Sequence, residues 1–196
     1  MDVAAEKTGL RAHCKALRKA MGASQVQQSS RQVAEHIMAC DAYRKAKCIM
    51  GYLAFGQELS VDMVLRHALS VGKLVAVPHI ISATEFVPVL LQGFEAFELD
   101  RFGIRSVPQP VRIIDPASID LVLVPGVAFG IDGSRVGMGA GYYDRFLPQA
   151  KGAVTVGVAY EALLQRAIPC DKYDAQVEYI VSERGCRRAV SSTDKF

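Results

Sequence analysis

Apolar positions in the first forty residues recur at helical spacing. They predict one helix over about 6–20 and a second over about 24–40, the latter with Val33, Ala34, Ile37 and Met38 on one face. Met21, Gly22 and Ala23 separate the two, and Ser24 is placed to cap the second. Beyond residue 45 the texture changes. Residues 46–55 read as a strand, and Ser60 precedes a helical stripe of Val61, Val64, Leu65, Ala68 and Leu69, with Asp62 in its first turn and Gly72 as its stop. Further strands are expected at 73–78, 85–91, 119–125, 153–159 and 177–181. Residues 92–117, with prolines at 108, 110 and 116, read as loop. The segment 119–125 is apolar at nearly every position, the mark of a strand buried on both faces. Helical and strand periods alternate. The fold expected is therefore α/β, an open, mainly parallel, twisted sheet with helices on both faces and its site on loops beyond the carboxyl ends of the strands.

The chain has 196 residues, read as one domain over 1–196. Half of it is apolar (51%) and 22% is charged, which excludes a disordered chain. A net charge of +3 is too small to argue for nucleic acid, and a monomer is the favoured form. The longest apolar run, 121–129, is strand length and far short of the roughly 20 residues that span a bilayer. The first residues carry Asp2 and Glu6, lack the apolar centre of a signal peptide and, with those acids, argue against a transit peptide. Five scattered cysteines without a CxxC pair read as reduced thiols of a cytoplasmic protein, and four histidines show no metal-ligand spacing.

Candidate chemistry concentrates after the buried strand. Glycines alternate at 137, 139 and 141, and a helix is expected to start at Tyr142 and end at Pro148. Such glycines permit positive φ and close ligand approach; their N–H groups and a helix start suit an anion. Arg135 adds a forked cation for phosphate oxygens. Rossmann and Walker A patterns both fail here, so spacing alone leaves a packing turn as the alternative. Asp144 falls in the first helical turn, where it either caps the helix or holds Mg²⁺ between itself and a phosphate.

The stretch 120–147, DLVLVPGVAFGIDGSRVGMGAGYYDRFL, resembles the signature of the 5-formyltetrahydrofolate cyclo-ligase (5,10-methenyltetrahydrofolate synthetase) family nearly throughout. The likeness extends to Lys7–Arg11, to Glu58 after the first strand, to 72–78, to Phe102-Gly103-Ile104 and to 174–180. It implies a sheet akin to ribose-phosphate isomerases and CoA transferases. It also implies an ATP- and Mg²⁺-dependent ring closure of 5-formyltetrahydrofolate. ATP phosphorylates the formyl oxygen, the bridging nitrogen attacks the activated carbon, and phosphate leaves. Carried over position by position, Lys7, Thr8, Gly9, Leu10 and Arg11 bind ATP together with Arg135, Val136, Gly137, Met138, Gly139, Ala140, Gly141, Tyr142 and Tyr143. Met138 to Tyr142, with Leu53 as an apolar wall and Glu58 on the pterin, bind the folate. Arg135, Tyr142 and Tyr143 are the expected catalytic groups, and Asp144 and Glu178 the expected Mg²⁺ ligands. Departures from the pattern are Glu178 where Asp is usual, Tyr173 where His is frequent, and Met138 and Ala140 where larger or basic groups occur. Residues 105–108 also intervene before the proline that often follows FGI.

Two other classes fit the same residues. One is an ATP-dependent enzyme acting on another amide or on a thiamine fragment. The other is a folate- or nucleotide-binding protein without catalysis. Kinship of fold with sugar-phosphate isomerases carries little weight by itself.

Overall fold

The structure, a computed structural model, describes residues 2–99 and 103–190; Phe102 of the FGI element lies outside the described residues. In chain order the elements are α1 (Val3–Lys19), α2 (Ala23–Ala39), α3 (Asp41–Lys45), β1 (Cys48–Met50), α4 (Asp62–Ser70), β2 (Leu74–Ile80), β3 (Phe86–Leu90), β4 (Glu98–Leu99), β5 (Arg105–Ser106), β6 (Leu121–Pro125), β7 (Ala128–Gly130), β8 (Arg135–Val136), α5 (Tyr142–Phe146), β9 (Val154–Val158), β10 (Leu164–Gln165), β11 (Tyr179–Ser182) and β12 (Gly185–Arg188). Seven strands form the main sheet in the order β12-β11-β9-β6-β1-β2-β3. The five from β11 to β2 run parallel, and β12 and β3 close the edges antiparallel.

Each central strand divides its side chains between two cores. On β6, Leu121 and Leu123 face the core shared with α2 and α4, while Val122 and Val124 face the one that Tyr143 and Phe146 of α5 cover. This is the near-continuous apolar run of a strand buried on both faces. Cover is unequal. Two long helices seal one face, with Val33, Ala34 and Ile37 of α2 and Val64, Leu65 and Ala68 of α4 fully buried. The short α5 supplies the other, stacked on Phe86 of β3 at 4.7 Å from Phe146 and 5.3 Å from Tyr143.

Several boundaries differ from expectation. Ser24 does not cap α2; Gly22 occupies that position without a side-chain bond. Ser60, expected to cap α4, does not hold that position either: Val61 does, without a side-chain cap bond, although the Ser60 hydroxyl accepts from Asp62 N at 3.2 Å; Gly72 ends the α4 unit at φ +77°. The expected strand over 46–55 is only Cys48–Met50. Tyr52 and Leu53 do not pair in the sheet; they are buried in the core shared with α2 and α4 and also line the cavity. A Cβ on Gly51 would lie 2.6 Å from Leu65 Cδ2, so glycine there lets α4 close on the strand exit. The proline-rich loop contains the two-residue ribbon β4–β5. The last strand begins at Tyr179, and the hairpin to β12 was not expected.

Candidate active site

β1 and β6 are neighbours at the point where the sheet changes its direction of growth: β2 and β3 follow on one side, β9 and β11 on the other. Loops leaving two such strands must part, and the crevice between them is where open α/β sheets bind ligands. Here the exits are Tyr52–Leu53 and Pro125–Gly126. Both line one cavity of about 610 Å³, together with Lys7, Arg11, Glu58, the loop 135–145, the hairpin residues Pro78 to Ile80 and Phe86, residues 104–106, and Asp171, Tyr173 and Asp174.

The glycine loop forms one wall. Gly139 and Gly141 take φ of +116° and +67°, a region that side-chain-bearing residues rarely adopt. A Cβ on Gly137 would lie 2.7 Å from Arg135 Nη1. Arg135 is almost fully buried. Its Nη2 donates to Asp144 Oδ1 at 2.6 Å, its guanidinium carbon lies 5.8 Å from the Tyr143 ring centroid, and its Nε has no partner among the described residues. The Tyr143 hydroxyl is likewise buried and unpartnered, and burial, then the nearby Glu58 charge, push its pKa far above the ordinary phenol range. Asp144 does not cap α5. The same Oδ1 accepts from Ala175 N at 3.2 Å, tying the glycine loop to the 171–175 segment. Tyr142 and Arg145 pin the loop to the β2–β3 hairpin: the Tyr142 hydroxyl donates to Ser82 O at 3.1 Å, and Arg145 Nε to Thr84 O at 2.8 Å.

Helix α1 forms the opposite wall. Lys7 Nζ reaches Asp171 at 2.9 Å and also bonds Asp174; Arg11 Nε donates to Gly137 O at 2.8 Å. The residues between them do not line the cavity. Thr8 bonds back to Ala4 O in its own helix, Gly9 is exposed, and Leu10 packs on the core. A helix turns about 100° per residue, which carries Thr8 and Gly9 away from the face of Lys7 and Arg11 and leaves Leu10 on its core-facing flank.

Glu58 sits on a braced turn. Its N–H donates to Phe55 O at 3.1 Å and its Oε2 accepts from Phe55 N at 3.2 Å. The Tyr52 hydroxyl donates to Leu59 O at 2.7 Å and the Tyr160 hydroxyl to Gln57 O at 2.9 Å. Burial raises the Glu58 pKa above the usual carboxylate range; Arg18, whose Nη2 lies 3.7 Å from Oε1, pulls it down.

Glu178 is a correction. It lies outside the cavity and is exposed, its Oε1 3.3 Å from Thr155 N. Its neighbour Val177 is buried in the α5-side core, and Glu178 itself lies in the bend before β11. Of the two expected metal ligands only Asp144 faces the cavity. Among the described residues no three His, Cys, Asp or Glu side chains form a metal cluster. A Mg²⁺ that keeps phosphate oxygens and water as most of its ligands fits the single carboxylate Asp144; an all-protein cage does not. Sequence reasoning missed Arg18, Asp171, Asp174, His79 and Arg105. Arg18 was legible in principle, since 7, 11, 14 and 18 share one helix face.

Comparison with known proteins agrees with the geometry. A 5-formyltetrahydrofolate cyclo-ligase of Mus musculus is 26% identical over 93% of this chain and 96% of its own, and the Escherichia coli K12 protein of that name is 28% identical over 84% and 93%. The solution structure of Aquifex aeolicus 5,10-methenyltetrahydrofolate synthetase superposes with a TM-score of 0.83 at 27% identity, covering 97% of this chain and 96% of that one. A synthetase structure from Mycoplasma pneumoniae shares the fold, with a TM-score of 0.74 at 24% identity. With residues 3–183 matched by the family model, the chain belongs to the 5-formyltetrahydrofolate cyclo-ligase family.

Proposed function

We propose that this protein closes 5-formyltetrahydrofolate to 5,10-methenyltetrahydrofolate at the expense of ATP, with Mg²⁺, and acts as a single cytoplasmic domain over residues 1–196. The supporting observation is that two dissimilar binding surfaces open onto one cavity. One surface is cationic and glycine-lined (Lys7, Arg11, Arg135 and the 137–141 loop). The other pairs a partly buried carboxylate, Glu58, with the apolar wall of Leu53. A polyphosphate suits the first. A pterin edge, which offers N–H donors to a carboxylate, suits the second.

In this reading the formyl oxygen is a poor leaving group until ATP phosphorylates it. The bridging nitrogen then attacks the formyl carbon, and the oxygen departs as phosphate. The chain's own contribution is positioning and charge neutralisation, which phosphoryl transfer requires more than covalent help. Arg135 faces the transferred phosphoryl group with a buried guanidinium. Lys7 and Arg11 take the rest of the polyphosphate. Glu58 and Leu53 orient the pterin, and Tyr142 and Tyr143 shield the reacting atoms from water. Mg²⁺, held by Asp144, would neutralise charge on the phosphate oxygens.

The test is a near-ultraviolet assay with purified protein, in which the product absorbs and the substrate does not. An absorbance rise that needs both ATP and Mg²⁺, and stops on chelation, is expected. Tight folate binding with no rise under any condition would move the chain to the class of non-catalytic binders.

A further inference from the structure

Among the described residues, Arg18 is the one buried cation at the site that lies outside the cavity. It is 6% exposed, at the inner end of the α1 face that carries Lys7 and Arg11. Its Nη2 lies 3.7 Å from Glu58 Oε1, and its Nη1 3.4 Å from Gly126 O, at the exit of β6. Glu58, Tyr52, Pro125 and Gly126 each have one side to the cavity and another side to Arg18. A ligand in the cavity therefore meets Glu58 and never Arg18.

Burying a carboxylate is costly unless something compensates its charge. Phe55 N satisfies Oε2 alone. The other groups facing Glu58 are the phenols Tyr52, Tyr143 and Tyr160, which are neutral, and Lys15, whose side chain is exposed. Arg18 is the buried counter-charge in this set. Its approach from outside the cavity also leaves the inner side of the carboxylate for a ligand.

We infer that Arg18 is the positioning residue for Glu58: from outside the cavity it neutralises the carboxylate and holds it facing inward. The consequence for folate rests on the reading of Glu58 as the carboxylate that meets the pterin. A neutral residue of similar length at 18 then leaves Glu58 with burial uncompensated. The carboxylate takes up a proton nearer neutral pH, and one of its two acceptor oxygens becomes an O–H donor that opposes the pterin N–H groups.

Two measurements on the full chain separate this inference from the folate reading. The first needs no ligand. Carboxyl ¹³C titration of Glu58 in R18M is expected to show a midpoint raised by about one pH unit or more, with R18K between R18M and the parent. An unmoved midpoint in a folded R18M protein overturns the proposal. The second is the Kd for 5-formyltetrahydrofolate against pH. R18M is expected to lose folate affinity relative to the parent as pH falls and to recover it as pH rises, its folate profile displaced by the same interval as the Glu58 midpoint, with the Kd for ATP unchanged. In an E58Q background, R18M should change the folate Kd by less than about twofold, because the partner it acts through is gone. Full additivity of the two changes overturns the proposal. A shifted midpoint with an unmoved folate Kd supports the Arg18–Glu58 coupling and overturns the folate role of Glu58. Should R18M fail to fold, R18K carries both measurements.

Discussion

Arg135 carries its charge in a nearly dry setting, where a guanidinium is worth more than an ammonium of equal charge. One Nη holds Asp144, the guanidinium carbon lies 5.8 Å from the Tyr143 ring centroid, and the buried Nε has no partner among the described residues. Lysine at this position keeps the charge but loses the fork. We expect R135K to lower kcat/KM for ATP by about 100-fold, the scale of losing a preorganised donor, while folate affinity stays within about threefold. Steady-state kinetics gives the first and direct folate titration the second; an unchanged kcat/KM for ATP, or a folate Kd weakened by as much, would remove Arg135 from phosphate contact. Arg135 and the alternating glycines carry an anion-binding signal in their spacing, whereas Lys7 and Arg11 entered through the family resemblance; the structure places all of them on the cavity wall. Thr8, Gly9 and Leu10 came in only as the contents of a continuous stretch, and the helix turns them away. Glu178 lies in the bend before β11, beside the core residue Val177, and the structure leaves it exposed and off the cavity wall. Asp171 and Asp174 sit in a turn whose only inward signal is a lysine 160-odd residues away, which no local pattern reveals.

At the scale of elements, the floor of the cavity depends on one aromatic ring. Phe129 of β7 is fully buried between two glycines, Gly126 at the β6 exit and Gly157 in β9. A Cβ on Gly126 would lie 2.6 Å from Phe129 Cε2, and one on Gly157 would overlap the same ring. Gly157 pairs in register with Val124 and Ile180 in the middle of the parallel sheet, so the backbone there has little room to move. We expect G157A to destabilise the fold by about 2 kcal/mol, the ordinary scale of overpacking. That is a fall in Tm of about 4–8 °C for a chain of this size. G152A is the control: it has an open surround and no left-handed φ, and its Tm should stay within about 1 °C. Thermal unfolding of the pair decides; equal Tm values would show that Phe129 yields without cost. The parallel strands were legible because a strand buried on both faces is apolar throughout, as in 121–125. The short elements were not. β1 merges into an apolar wall that continues past the last paired residue, and β4, β5 and β12 are too brief or too polar to show a period.

For the whole molecule, the attachment of α1 and the assembly of the site are one equilibrium. Helix α2 is fastened by a full apolar stripe, whereas α1 buries only Cys14 and Arg18 completely, with Leu10 partly packed. The remaining ties of α1 across the cavity are polar and end at its walls: Lys7 on Asp171 and Asp174, Arg11 on Gly137 O, Arg18 on Glu58. A helix held this way responds to pH. The bond from Lys7, then that from Tyr173 N, depresses the Asp171 pKa, so its share of the attachment is present above the ordinary aspartate range and is lost as pH falls through it. Burial works to lower the Lys7 pKa, but its bonds to Asp174 and Asp171 outweigh that and raise it, so its share is present below the ordinary lysine range and is lost as pH rises above it. Attachment is therefore strongest on a broad plateau between the two ranges. Amide hydrogen exchange, corrected for intrinsic rate, is expected to show α1 protection level from pH 7 to about 5 and lost relative to α2 only as pH falls through and below the ordinary aspartate range, towards about 3. K7M should start with weaker protection at pH 7 and respond less to acid. A ligand that engages Lys7 and Arg11 couples directly to this equilibrium, so saturating MgATP should slow exchange in α1 more than in α2. If protection of α1 were flat in pH and indifferent to MgATP, the helix would be held by its packing alone, and the cations along its inner face would have no part in bringing the two walls of the cavity together.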